Sequence, residues 1–389
     1  MTAIPIIGLG AVCAAGNSVE TAYPKVAEGA DGLSGLSLFD SGLKQVPPCG
    51  QVDTTSLGDF AAKAPNRTTG LALHAVNESL RSVPDRTGLR LGLVYATTVG
   101  GITRSELFYR RLRTDESVAA EAARELAYHE PTAGAGFLAR AVGADAVYTM
   151  STACSTGLHA IGLAARMICR GRVDMCIAVG ADALSLLTLR GFAALMLVDF
   201  TGCKPFDARR LGISLGEGAG ALLMASPKTA ERFGGIRAWV SGWGAGADCR
   251  HMTAPHPEGE GARKTVESAL RDAKLVPADI DLIATHGTAT PDNDISEIKA
   301  MNKVFNHLPP FCSMKRTLGH TLAASGALEA VFAVKALEEG AYPGTGGFEQ
   351  LDEAIGVAPV SAGRGSIRNV LKNSFGFGGN NAALILTGK

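Results

Sequence analysis

The chain has 389 residues, 46% of them hydrophobic and 19% charged, and its 37 Lys+Arg balance 37 Asp+Glu for a formal net charge of zero. That length suits two average domains or one large duplicated one with a sizeable core. The zero balance argues against nucleic acid or an anionic membrane as the main partner. The cysteines, at 13, 49, 154, 169, 176, 203, 249 and 312, include no C-x-x-C pair, so neither a zinc site nor a disulfide framework has support. The N-terminal Met1-Thr2-Ala3-Ile4-Pro5 lacks the basic start of a signal peptide. No uninterrupted apolar run reaches the roughly 18 residues of a membrane span. A reducing, cytoplasmic setting is expected.

In chain order, Ile4–Gly8, Leu91–Thr97, Val147–Met150 and Met175–Gly180 read as short buried strands, with helical patterns over Asn66–Val83, Ser117–Tyr128 and Leu158–Arg170. This is the rhythm of an α/β protein whose sheet is covered on both faces. The second half repeats it, with strands at Ile236–Gly244 and Leu282–Thr285 and helices at Gly261–Ala273 and Thr321–Glu338. Two local echoes link the halves. The glycine turn and apolar strand at Gly216–Met224 resemble those at Gly376–Leu384, and the small-residue helix after Cys154 resembles the one after His320. Two echoes in the same order predict a duplicated fold with a pseudo-twofold axis. The seam is expected near Pro227–Gly235, dividing the chain into residues 1–235 and 236–389.

Four turns carry chemistry. Ser151-Thr152-Ala153-Cys154-Ser155-Thr156-Gly157 places a cysteine between a strand and a helix, where a helix N-terminus favours a thiolate. Burial as a structural thiol is the ordinary fate of such a cysteine, but a turn of small polar residues leaves room for a substrate. Ala284-Thr285-His286-Gly287-Thr288-Ala289-Thr290-Pro291 puts His286 at a strand end, where α/β folds collect ligands, with two hydroxyls beside it. In Ser313-Met314-Lys315-Arg316-Thr317-Leu318-Gly319-His320, His320 opens a long helix, which should lower its pKa and keep it a neutral donor to an oxyanion. Asn373-Ser374-Phe375-Gly376-Phe377-Gly378-Gly379-Asn380-Asn381 exposes backbone N–H groups but feeds a strand rather than a helix, so it fails the test for a nucleotide loop.

Together these runs resemble the β-ketoacyl-ACP synthases of the I/II type, in the thiolase superfamily. The resemblance spans Ile4 to Leu386 and rests on Thr-Ala-Cys154-Ser, Lys204-Pro-Phe-Asp-Ala-Arg-Arg210 with Gly216-Glu-Gly, His286-Gly-Thr-Ala-Thr, Lys315-x4-His320 and Asn373-Ser-Phe-Gly-Phe-Gly-Gly. It implies a five-layered αβαβα fold and decarboxylative Claisen condensation on acyl carrier protein. Cys154 would take the acyl chain, and His286 and His320 would stabilise the enolate left by decarboxylation. Lys315 would hold the histidines, and Glu297 would support Lys315. The N–H groups of Cys154 and Phe377 would form the oxyanion hole, with Phe377 also the gate. Thr288 and Thr290 would contact phosphopantetheine, which arrives on the carrier, so no metal or separate cofactor is implied. Lys63 and Arg67 fall where the family meets the acidic carrier, and either a homodimer or a heterodimer with a chain-length-factor-like subunit is implied. Pro291-Asp292-Asn293-Asp294, Asn380-Asn381 and Ile213 depart from the common pattern. With Ala183–Phe192, the Asn-Asp pair resembles the ketosynthases of aryl-polyene and related specialised pathways. The rivals are a coenzyme A thiolase, an initiation-type synthase and a non-catalytic partner subunit. The absence of a cysteine in the C-terminal glycine loop disfavours the first. Lys315 followed by His320 disfavours the second, and the complete Cys154, His286, Lys315, His320 set disfavours the third.

Overall fold

The computed structural model describes residues 2–53, 64–115 and 123–389. Ten strands form its main sheet: β1 (Ile4–Cys13), β2 (Leu91–Ala96), β3 (Ala146–Met150), β4 (Met175–Asp182), β5 (Gly218–Ala225), β6 (Ala238–Ala247), β7 (Leu282–Ala284), β8 (Phe311–Cys312), β9 (Asn369–Phe375) and β10 (Asn380–Thr387). Their spatial order is β3-β2-β4-β5-β1-β6-β10-β9-β7-β8. Within the first half the sequence of strands is third, second, fourth, fifth, first; read from the far edge, the second half is the same. Directions match too, since β2 is parallel to both β3 and β4, β7 to both β8 and β9, and the remaining pairs are antiparallel. The halves join through one short antiparallel contact, Ile4–Ile6 against Ala238–Val240. Both predicted echoes correspond to equivalent elements, β5 with β10 and the helix after Cys154 with the helix after His320.

Six helices make the layers: α1 (Arg67–Leu80), α2 (Pro131–Val142), α3 (Thr156–Cys169), α4 (Glu260–Ala273), α5 (Pro291–Val304) and α6 (Ala324–Glu339). Successive strand residues point to opposite faces, so Leu93 and Val94, or Ile177 and Ala178, enter different cores. Val94, Ala178, Leu282, Val370 and Leu384 pack on α3 and α6 in the centre. Leu93 and Ile177 pack outward on α1 and α2, and Ile283, Leu371 and Ile385 on α4 and α5. The result is α, β, α, β, α. Strands buried on both faces explain why they read as unbroken apolar runs.

The sequence reading missed α2, α5 and β9. Pro131 and Pro291 open α2 and α5, positions where proline loses nothing because those N–H groups have no helical partner. Strand β9 carries Lys372, Asn373 and Ser374, polar residues that suggest a loop, yet all are buried. Of the expected helix Ser117–Tyr128, only Ala123–Tyr128 lies among the described residues, as a 3-10 helix.

At the centre, α3 lies directly on α6. A Cβ on Gly157 would come within 2.6 Å of the Ala327 nitrogen, which is backbone and does not yield as a side chain can. Gly157→Ala should therefore cost about 1–3 kcal/mol, read from the urea midpoint, as the helices are forced apart. An unchanged midpoint would contradict this packing.

Candidate active site

Cys154 sits where β3 passes into α3, and local hydrogen bonds hold it there. The Thr152 amide donates to Thr156 Oγ1 at 2.8 Å, and Ser155 Oγ to the Thr152 carbonyl at 2.8 Å. Ala153 takes φ +53°, a left-handed conformation costing an L-residue about 1 kcal/mol. The C-terminal glycine loop is drawn tightly over the turn. A Cβ on Gly376 would lie 2.9 Å from the Thr152 carbonyl oxygen and 3.2 Å from the Cys154 nitrogen. This brings the Phe377 N–H alongside that of Cys154, and both donate toward Sγ. Phe377 itself stacks obliquely on Phe192, with ring centroids 5.6 Å apart.

The expectation of a resting thiolate is not met. Burial pushes the Cys154 thiol up to about 12. The charge of Lys315 and the two N–H groups pull the other way and are outweighed, and Asp182 reinforces the rise. Asp182 is itself fully buried. It accepts from the hydroxyls of Thr97 and Thr98 at 2.6 Å, the Val99 amide at 3.0 Å and the Ala323 amide at 2.8 Å. It therefore ties β4 to the segment that leads into α6.

His286 follows the end of β7, its amide donating to Glu297 Oε1 at 2.8 Å, while Gly287 N donates to Oε2 at 2.9 Å. Its ring meets that of His320 edge-on at 5.4 Å. His320 is pinned by its own amide to the Ser214 carbonyl at 2.7 Å, and its carbonyl accepts from Gly216 at 3.0 Å. Its Nδ1 accepts from the Leu322 amide at 3.2 Å, so in the neutral ring the proton lies on Nε2. Burial is the first cause that depresses both imidazoles, followed by Lys315; His320 falls to about 3 and His286 well below its ordinary value. The expected cause for His320 was a helix start, but α6 begins four residues later, at Ala324. The neutral donor survives with a different origin.

The sulfur and the imidazole ligand atoms lie within 4.8 Å of one another, a spacing that invites comparison with a metal site. The tautomer opposes it. Nδ1 of His320 accepts from an amide N–H, so metal ligation at Nε2 would cost that hydrogen bond or require an imidazolate.

Lys315 lies beneath the histidines. Its Nζ donates to the His286 carbonyl at 2.9 Å and to Glu329 Oε1 at 2.5 Å. Glu297 therefore does not support Lys315 as expected. Both its oxygens accept from the His286–Gly287 backbone, and Asn373 Nδ2 adds a third contact at 3.2 Å. Glu329 supplies the carboxylate, and a second buried lysine, Lys372, lies 2.5 Å from its other oxygen. Burial pushes the Glu329 carboxyl up, but the two ammonium groups prevail and hold it at about 2. Glu329 was missed because it is a single charge inside an apolar helical pattern, and Lys372 because it opens a polar run, Lys372-Asn373-Ser374, that suggests a loop. For Glu329 that isolation is also the signal by which it was detectable, since a buried charge demands a partner.

Thr288 and Thr290 line a cavity of about 350 Å³ that ends at Cys154, His286 and His320, with Met196 and Leu211 among its other walls. Their hydroxyls are 3.0 Å apart, and Thr290 caps α5. Arg210 and Asp294 steady this loop: Arg210 pairs with Asp352 at 2.5 Å, and Asp294 accepts from the Phe206 amide at 2.8 Å. Arg67 is not free to meet a carrier. Its guanidinium grips buried Glu217 and the Val52 carbonyl, leaving 23% of the side chain exposed. Lys63 lies outside the described residues.

A nucleophile, two neutral imidazoles and converging N–H groups on a duplicated α/β frame define an acyl-transfer site. The chain belongs to the β-ketoacyl synthase family, whose N-terminal domain matches residues 1–230 and whose C-terminal domain matches residues 237–349. It is 30% identical to a 3-oxoacyl-[acyl-carrier-protein] synthase 2 of Staphylococcus aureus strain N315, across 98% of this chain and 97% of the relative. Among solved structures it is similar to the ishigamide ketosynthase/chain length factor, at 27% identity and a TM-score of 0.92 over 100% of this chain and 99% of that one. It is also similar to the ketosynthase ApeO in complex with its chain length factor ApeC from Xenorhabdus doucetiae, at 30% identity and a TM-score of 0.84 over 100% and 98%.

A thiol at rest makes a measurable claim. Iodoacetamide labelling of Cys154, followed by peptide mass mapping to separate it from exposed Cys169 and Cys249, should climb about tenfold per pH unit from about pH 7 to about pH 10. Levelling off below about pH 8 would mean that the thiolate already predominates.

Proposed function

We propose that this chain is a β-ketoacyl-ACP synthase, an acyltransferase that joins an enzyme-bound acyl group to the carbon unit left by malonyl-carrier. The observation that carries the reading is the convergence of Cys154 Sγ with the two imidazoles within 4.8 Å. In the first half-reaction Sγ attacks the thioester carbonyl of an acyl chain held on phosphopantetheine. The oxyanion is received by the N–H groups of Cys154 and Phe377. The carbon–sulfur bond to pantetheine breaks, and the thiol proton ends on the departing sulfur. Loading therefore needs no net base, which suits a cysteine with a raised pKa.

In the second half-reaction malonyl-carrier enters along Thr288 and Thr290. His286 and His320 hold its thioester oxygen while the carboxylate leaves as carbon dioxide, its bonding pair becoming the enolate. The His320 Nε2–H is the donor that its tautomer provides. The enolate carbon attacks the acyl-cysteine carbonyl, the carbon–sulfur bond to Cys154 breaks, and the thiolate takes up a proton from solvent. Neutral histidines are required throughout, because an imidazolium beside Lys315 and Lys372 would be repelled.

The chain divides functionally at residue 235 or 236, the first part supplying the nucleophile and the second the histidines. Its acyl donors ride on acyl carrier protein. Strand β3, a sheet edge with Val147 at 38% and Tyr148 at 50% exposure, is a surface on which a second subunit would pair. Similarity to a ketosynthase solved with its chain length factor supports a heterodimer of that kind in a specialised pathway, with this Cys154-bearing chain as the catalytic member. Eight unpaired thiols and the lack, among the described residues, of any helix long and apolar enough to cross a membrane fit a cytoplasmic enzyme.

Intact mass after mixing with acyl-carrier protein should show a thioester adduct that disappears in Cys154→Ala; no adduct with any acyl donor would end the proposal. Cys154→Gln should still decarboxylate malonyl-carrier, whereas His320→Ala should lose on the order of 100-fold or more of that rate. The reverse pattern in folded proteins would overturn the roles assigned.

A further inference from the structure

Lys372 is the least expected charge in the molecule. It stands in the middle of β9, is 0% exposed, and has fully buried Leu371 and Asn373 on either side. Burying an ammonium costs several kcal/mol unless its surroundings compensate. A leucine or methionine would fill the space without that cost, so the charge calls for a reason beyond packing.

Its partners supply one. Nζ donates to the Thr285 carbonyl at 2.9 Å and to the Asn373 carbonyl at 2.5 Å, and lies 2.5 Å from Glu329 Oε2. Thr285 immediately precedes His286, whose own carbonyl is taken by Lys315. Two lysines from different elements thus hold consecutive carbonyls, and one carboxylate bridges the two lysines. On the opposite side, Glu297 takes the N–H groups of His286 and Gly287. Every polar backbone atom of His286 is bound by a buried charge. Two buried lysines thus face two buried carboxylates around His286, and burial pushes the Lys372 ammonium down while Glu329 opposes that fall.

We propose that Lys372 is a positioning residue for the decarboxylating half-reaction: with Lys315 and Glu329 it fixes the backbone at His286, beside the site where the enolate forms. The oxygens around Nζ make a cage suited to a small cation, with the lysine as its built-in occupant. The inference rests on the role given to His286 above, and it separates the two half-reactions, because loading of Cys154 uses N–H groups of the α3 turn and the glycine loop instead.

The test is Lys372→Met, near in length but with no charge or donor, compared with the parent in both half-reactions. Malonyl-carrier decarboxylation should fall on the order of 10- to 100-fold, as misplacement of a reacting group predicts. Acyl loading of Cys154, read by intact mass, should stay within about twofold, because the groups that serve it are untouched. Lys372→Ala should recover part of its decarboxylation in ammonium chloride but not in tetramethylammonium chloride of equal ionic strength, because only the smaller ion fits the cage and donates hydrogen bonds. Equal loss of both half-reactions in a folded Lys372→Met, or parental rates in both, would overturn the proposal. If Lys372→Met does not fold, the ammonium comparison decides, and absence of recovery overturns it. A parent enzyme that does not decarboxylate malonyl-carrier would instead refute the underlying assignment of His286.

Discussion

Helices α3 and α6 meet at the middle of the molecule with backbone against backbone, because Gly157 puts no side chain between them. Much of the site's geometry depends on that contact. One helix begins two residues after Cys154, and the other four residues after His320, so bringing the two helices together also brings their leading segments together. The pseudo-twofold arrangement of strands enforces it from outside. Each half presents the inner face of its five strands to the same pair of helices, and a shift of one helix would open both central interfaces at once.

That frame sets the nucleophile and the histidines close to one another, but it does not choose their protonation states. Burial does most of that work. It raises Cys154 and lowers both imidazoles, so the site rests uncharged where the substrate reacts. Charge is held one layer deeper, on Lys315, Glu329 and Lys372. The arrangement suits a reaction in which negative charge appears first on a tetrahedral oxygen and then on an enolate, and disappears again. Fixed N–H donors await that charge without solvent having to reorganise.

The same reasoning explains which parts of the site were legible in the sequence. Cys154, His286, Lys315 and His320 stand in glycine-marked turns at the ends of apolar runs, and such turns announce themselves. Glu329 lies inside a helix whose neighbours are apolar, and periodicity alone averages it away, while Lys372 opens a polar run that reads as a loop. Glu297 shows another kind of error. The family resemblance pointed to a carboxylate that supports Lys315, but a residue's place in a motif does not specify whether it meets a lysine or two backbone amides. Arg67 shows one more, because a basic residue at a helix start looks solvated until the buried carboxylate of Glu217 is found opposite it.

By itself the sequence determined the α/β rhythm, the duplication and the order of the reactive turns, because these follow from local pattern: apolar period, glycine placement and residue type. Only the tertiary structure decided which charge meets which. Glu329 comes from a helix of the central layer, Lys315 from the segment after β8 and Lys372 from β9. Their mutual satisfaction depends on packing between distant segments, and so does the burial that keeps Cys154 a thiol and the histidines neutral. Desolvation is a property of the surroundings in space, and no local stretch of residues contains it.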